Sequence, residues 1–110
     1  MDNLQAVSAF SALSQITRLQ VLRALVVAGK EGLAAGKLAE MIGVAPSNIS
    51  FHLKEMEHAQ LIACRRQGRS LIYSARFEVL GDLVQFMIRD CCSGHAATPE
   101  EREDLGAAAP

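Results

Sequence analysis

The chain of 110 residues contains no tryptophan, and aromatic residues make up only 5% of it, although half of its residues are hydrophobic. Aliphatic side chains and methionines must therefore fill its interior, and a chain of this length can build one modest core. No apolar run approaches the roughly 18 residues that a membrane-spanning helix needs. The opening MDNLQAVSAF lacks the basic region and cleavage site of a signal peptide. We therefore expect a cytoplasmic protein with no membrane partner.

The sequence also lacks the motifs that carry most enzymatic chemistry. It has no glycine-rich phosphate-binding loop and no nucleophile elbow, and its acids and histidines show no catalytic spacing. Three cysteines are an odd number for a disulfide framework, and Cys91 and Cys92 are adjacent whereas Cys64 stands alone. The sequence therefore argues against an enzyme and favours thiol chemistry over disulfide bonding.

The formal net charge is only −1, but the charges are unevenly distributed. Residues 60–77 hold four arginines and no acid, whereas residues 80–110 hold six acids and two arginines. Because the field near a surface follows the local charge more than the total, the first segment can face a polyanion. A basic edge on a nearly neutral chain is typical of modest, salt-sensitive DNA binding.

Apolar periodicity divides the chain into elements of a mainly α fold with a small β-hairpin. We predict helices over residues 3–13, 15–28, 36–42, 46–58 and 78–91, and strands over 61–66 and 70–75. Ser14 is the expected N-cap of the second helix, and residues 33–35 form either a short strand or a linker. Residues 1–94 are expected to be one domain, and the acidic tail 95–110 to be disordered.

Apolar stripes identify the faces of these helices that should be buried. The expected inward residues are Ile16, Leu19, Leu22, Leu25 and Val26 in the second helix, Leu38, Ala39 and Ile42 in the third, and Ile49, Leu53 and Met56 in the fourth. The fourth helix then presents a polar face to solvent, with Phe51 among its residues.

The order of elements between Lys37 and Tyr73 indicates a helix-turn-helix followed by a basic wing. The major groove accepts a helix, and short polar side chains near the start of that helix can reach base edges. The predicted DNA-contacting residues are Ser47, Asn48 and Ser50 toward bases, His52 and Lys54 toward phosphates, and the wing arginines Arg65, Arg66 and Arg69. The expected partner is double-stranded operator DNA. The alternative is that these are ordinary solvated residues of a protein–protein interaction module.

Three stretches make the chain resemble the ArsR family of winged-helix repressors: FSALSQITRLQVLRAL, then LAEMIGV with SNISFHLKEMEHAQLI, and RRQGRSLIYSA in the wing. The resemblance covers the chain from about Phe10 to Cys92. It implies a winged helix-turn-helix of five helices and a two-stranded wing, and a homodimer formed through the first and last helices. It also implies operator binding without any cofactor, and release when a metal ion, metalloid or oxidant binds.

The family places its sensory ligands at several positions, and the resemblance implies one of them here. An arsenic-responsive type has a Cys-x-Cys pair before the turn, where this chain has Ala34 and Gly36. Another type has a Cys-Cys pair at the end of the last helix, which Cys91 and Cys92 match, although no third cysteine follows them. Soft thiolates select soft ions, so arsenite or a methylated trivalent arsenical is the expected inducer.

Other interpretations of the effector site remain open. Asp82 and His95 match two ligands of a zinc-responsive type, but Val84 and Thr98 replace the other two, and two ligands do not make a tetrahedral zinc site. A redox or persulfide response of Cys91 or Cys92 is the second alternative. The two cysteines could instead be small hydrophobic residues under a dimer interface, and Cys64 is expected to be structural.

Overall fold

Five α-helices and a three-stranded antiparallel sheet form residues 1–89, the part of the chain that the structure, a computed structural model, describes. The helices are Asn3–Leu13 (α1), Ile16–Ala28 (α2), Ala35–Ile42 (α3), Pro46–His58 (α4) and Phe77–Arg89 (α5), and the strands are Leu33–Ala34 (β1), Ile62–Gln67 (β2) and Ser70–Ala75 (β3). The predicted mainly α winged-helix fold is confirmed. The predicted domain end at residue 94 and the tail 95–110 lie outside the described residues.

The cap between the first two helices differs from the prediction that Ser14 begins the second one. Ser14 instead ends α1, and its hydroxyl donates a hydrogen bond to the Ser11 carbonyl oxygen at 2.7 Å. The N-cap of α2 is Gln15, whose side-chain oxygen accepts from the backbone N–H of Arg18 at 3.0 Å. The longer amide side chain supplies the acceptor that a serine usually provides at this position.

The core is one cluster of buried side chains contributed by all five helices and by β2 and β3. In α2 the buried residues are Val21, Leu22 and Leu25. The prediction that Ile16, Leu19 and Val26 are also buried is wrong, since they are 76%, 46% and 43% exposed. The reason is that the other elements of residues 1–89 pack mainly against one side of α2. The predicted inward residues of α3 and α4 are confirmed, with Ile42 partly buried.

The sheet has the strand order β1-β3-β2, so the open question about residues 33–35 is settled in favour of a short strand. Gln67 pairs with Ser70, which leaves Gly68 and Arg69 as a two-residue hairpin turn. Gly32 precedes β1 with a φ of 70°, and a side chain there would collide with the carbonyl oxygen of Tyr73. A glycine is therefore required for β1 to approach β3.

Two helices keep much of their apolar surface outside this core. In α1 the buried residues are Ala6, Ala9 and Ala12, whereas Leu4, Val7 and Phe10 are 83%, 61% and 44% exposed. In α5 the one buried residue is Leu83, and Val84, Met87 and Ile88 are each about half exposed. None of the helices within residues 1–89 has the length and hydropathy needed to cross a bilayer.

Candidate nucleic-acid interface

The helix-turn-helix is formed by α3 and α4 and by the tight turn between them. Gly43 ends α3 in the left-handed conformation, with a φ of 84°, and its N–H donates to the Ala39 carbonyl oxygen at 2.8 Å. Pro46 then occupies the first turn of α4, where its missing N–H costs nothing. This local chemistry fixes the direction in which α4 leaves the turn.

One side of α4 is anchored in the core and the other is open. Ile49, Leu53 and Met56 are at most 1% exposed. Of the five predicted DNA-contacting residues on α4, four are exposed as expected: Ser47, Asn48, Ser50 and Lys54. The N-cap residue Ala45 makes no side-chain capping bond, and the first turn contains no acid. The backbone N–H groups in the first turn of α4 are therefore available to a phosphate oxygen.

His52, which was predicted to contact phosphates, does not lie on the exposed face of α4. The side chain is only 8% exposed, and its Nδ1 accepts a hydrogen bond from Nε of Arg18 at 2.9 Å. Burial, and then the positive charge of Arg18, lower the pKa of His52 below its ordinary value. A buried, neutral imidazole offers little surface and no charge to a phosphate, so the predicted phosphate contact of His52 loses its physical basis.

The wing arginines have two different environments. Arg66 and Arg69 are exposed, and Arg69 lies in the hairpin turn as expected. Arg65 is exposed too, but its guanidinium donates to the carbonyl oxygens of Lys30 at 3.3 Å and Glu31 at 2.7 Å. Arg65 therefore ties β2 to the turn Gly29–Glu31 and holds the wing in position, while Arg66 and Arg69 remain unengaged by hydrogen bonds within residues 1–89.

Arg18 lies against α4 and was not among the predicted contact residues. Besides its bond to His52, its guanidinium carbon lies 5.8 Å from the centre of the Phe51 ring. A signal was present: Arg18 is a cation in the first turn of a helix, where the macrodipole disfavours positive charge. No acid in that turn compensates it.

Cys64, the cysteine within residues 1–89, lies in the sheet as part of the fold. Cys64 is half-buried and pairs across the strands with Tyr73. Burial, a hydrogen bond with Cys64 and nearby negative charge raise the pKa of Tyr73 to about 12. Residues 1–89 contain no group of three or more potential metal-ligating side chains of His, Cys, Asp or Glu. The predicted ligands Cys91 and Cys92 lie outside the described residues.

Known proteins match this architecture. Residues 13–65 match a family model described as a helix-turn-helix domain. The transcriptional repressor SdpR of Bacillus subtilis is 34% identical over 80 residues, which cover 72% of this chain and 84% of that protein. The curated relatives are matched over 58% to 84% of their lengths.

Solved structures match as well. An ArsR-like transcriptional regulator from Rhodococcus sp. RHA1 superposes with a TM-score of 0.72 at 26% identity, covering 94% of this chain and 89% of that one. A homodimeric winged helix-turn-helix DNA-binding domain from Mycobacterium bovis gives 0.63 at 25% identity, covering 86% and 87%. This chain belongs to the ArsR/SdpR-type family of winged helix-turn-helix transcriptional regulators, a family of DNA-binding proteins and not of enzymes.

Proposed function

We propose that this chain is a homodimeric repressor that binds operator DNA through α4 and the wing and leaves it when a trivalent arsenic species binds Cys91 and Cys92. The observation that carries the DNA-binding part is the open polar face of α4, anchored from behind by Ile49, Leu53 and Met56. A rigid helix with short polar side chains near its start is what a major groove accepts.

The two parts of the interface have different tasks. Asn48 can pair bidentately with an adenine edge, whereas Arg66 and Arg69 on the wing can neutralise phosphates without reading sequence. Asn48→Ala should relax base preference at one position of the site and cost about 1–3 kcal/mol against the preferred base. Arg69→Ala should weaken binding to all duplexes alike and lower the salt slope by about one.

Binding assays on a panel of duplexes with single base changes separate these effects. Lys30→Ala is a matched control for the wing, because it removes an exposed positive charge on the turn that Arg65 braces and lies outside the proposed contact set. Unchanged affinity and unchanged base preference in both Asn48→Ala and Arg69→Ala would favour the protein–protein interaction module instead.

The homodimer is supported by the apolar surface that a single chain leaves open. Leu4, Val7 and Phe10 on α1 and Val84, Met87 and Ile88 on α5 are solvent-exposed, which is unusual for so many large apolar residues in a small domain. The related Mycobacterium bovis domain is homodimeric. A second copy that pairs α1 and α5 would bury these faces and give the assembly two symmetry-related copies of α4.

The inducer is proposed from the chemistry of the cysteine pair. Adjacent side chains on a regular helix point about 100° apart, so Cys91 and Cys92 can bind one atom only where the helix ends, and Ser93-Gly94 follows them. Trivalent arsenic is thiophilic and trigonal. Two thiolates and a solvent ligand can hold arsenite, and a methylated arsenical needs only the two sulfurs because carbon occupies its third position.

A titration of operator release tests the effector site. Arsenite, a methylated trivalent arsenical, zinc and a persulfide donor are added separately to the protein–duplex complex. Cys91→Ser/Cys92→Ser should keep DNA affinity and lose release by the arsenicals, and Cys64→Ser is the matched control that should respond normally. Release by the persulfide donor alone would favour the redox alternative, and a normal arsenical response in the double variant would contradict the proposed ligands.

A further inference from the structure

We infer that Arg18 is a DNA-phosphate contact of this protein and that His52 is the positioning residue that aims it. The inference rests on the proposed DNA-binding face of α4 and extends it to a residue of α2. Arg18 lies outside both the helix-turn-helix and the wing, so the phosphate contact would come from a third part of the domain.

The guanidinium of Arg18 is held by two neighbours from α4. Its Nε donates to Nδ1 of His52 at 2.9 Å, and its carbon lies 5.8 Å from the centre of the Phe51 ring. The two rings themselves meet edge to face, with centres 5.7 Å apart. Two fixed contacts on one planar group define its orientation and reduce the entropy lost when it binds an anion.

None of these contacts neutralises the positive charge of Arg18. The imidazole is neutral, the phenyl ring carries no charge, and within residues 1–89 no carboxylate lies within ion-pair distance of Arg18. Arg18 lines a cleft that it shares with Glu55, His58, Ser8 and Ser11, and none of these four residues bonds to its guanidinium. The cation also lies at the positive end of the α2 dipole. A positive charge at the N-terminus of a helix is unfavourable for the folded state, and a phosphate bound to Arg18 would offset that charge.

The remaining donors of Arg18 suit a phosphate. Only Nε is engaged within the described residues, which leaves the two terminal nitrogens for a bidentate pair with two phosphate oxygens. Asn48 lies one helical turn before His52 on the same flank of α4. The guanidinium therefore borders the flank from which Asn48 is proposed to read a base.

The orientation of the Arg18 guanidinium depends on the protonation state of His52. Nδ1 can accept a hydrogen bond only in the neutral imidazole. A proton there would remove the acceptor and place two cations side by side, displacing the guanidinium. The charged and titratable groups nearby are Arg18 on α2 and Glu55 and His58 on α4. Acidification should therefore weaken DNA binding, whereas a direct contact between protonated His52 and phosphate would strengthen it.

The test uses a duplex enriched from a random pool by the wild-type chain, with affinity measured against salt at about pH 7.5, above the ordinary histidine pKa. Arg18→Ala should lower the salt slope by about one. Arg23→Ala is the matched control, since Arg23 is an exposed cation on the same helix and lies outside the proposed contact set. Its slope should equal that of the wild type. An unchanged slope in Arg18→Ala would overturn the inference.

The positioning role of His52 is tested by the pH profile of affinity between about pH 7.5 and 5.5. His52→Asn retains an acceptor near the place of Nδ1, so it should keep the wild-type salt slope and lose the acid-induced weakening. His52→Ala should show the lower slope of Arg18→Ala at all pH values, with circular dichroism confirming that each variant is folded. Wild-type affinity that rises on acidification would overturn the assignment. Absence of any duplex binding by the wild type would instead contradict the proposed DNA-binding function.

Discussion

Helices α4 and α5 have the same length of 13 residues and opposite relations to the core. In α4, Ile49, Leu53 and Met56 are buried, and the exposed face is mostly polar although it includes Phe51. In α5 Leu83 is buried, but Val84, Met87 and Ile88 are about half exposed. The inner side of α4 is packed against other elements of residues 1–89, which makes the helix a firm support for the proposed DNA contacts. The apolar side chains of α5 are only partly covered within those residues, which leaves them open to the proposed dimer partner.

The largest expected effect comes from the buried side of α4. Leu53 is fully buried, so Leu53→Ala should leave a cavity and lower the free energy of unfolding by about 2–5 kcal/mol. Lys54→Ala, its exposed neighbour, should change that free energy by less than about 0.5 kcal/mol. Urea denaturation measures both. Equal effects of the two substitutions would contradict the view that α4 is anchored from one side.

A smaller effect on association is expected from the open side of α5. Val84→Asp would place a carboxylate in the proposed seam between two copies, where an unpaired charge is unfavourable. The dimer dissociation constant should rise at least tenfold, which corresponds to about 1.4 kcal/mol. Gln85→Asp adds the same charge at an adjacent exposed position and should leave association nearly unchanged. Sedimentation velocity over a concentration series distinguishes them, and equal dissociation constants would place the seam elsewhere.

The smallest expected effect concerns His52, the buried histidine of α4. The pKa of His52 in the folded chain lies below its ordinary value of 6.5, so the unfolded chain binds the proton more tightly. The contribution of neutral His52 to stability is therefore full above about pH 6.5 and is lost as the pH falls toward the folded pKa.

Denaturation midpoints of the wild type and of His52→Asn across this pH range isolate that contribution. His52→Asn should show a flatter profile than the wild type, whereas His58→Asn, a change at an exposed histidine of the same helix, should not. Parallel profiles for the wild type and His52→Asn would indicate that His52 is equally protonated in both states.

Local sequence signals predicted most of the fold. The start of α4 follows from Gly43 and Pro46, its inner face from the spacing of Ile49, Leu53 and Met56, and the wing from a Gly-Arg turn between two apolar–basic strands. These features act within a few residues of one another, so periodicity and turn chemistry suffice.

The errors come from contacts between distant segments. His52 lies at the edge of the apolar stripe of α4, and its hydrogen-bond partner Arg18 is 34 residues earlier in the sequence. Ile16 and Leu19 satisfy a helical stripe, yet no other element within residues 1–89 covers them fully. Periodicity shows which residues share a face, but it does not show whether that face meets its own chain, another copy or solvent.

The central claim is that two copies of this chain present two α4 helices to one duplex. Hydroxyl-radical footprinting on the enriched duplex, with the stoichiometry measured on the same complex, tests it most directly. The account predicts two chains per duplex and two protected half-sites about 10 base pairs apart, or a multiple of that spacing. A single protected half-site occupied by one chain would contradict it.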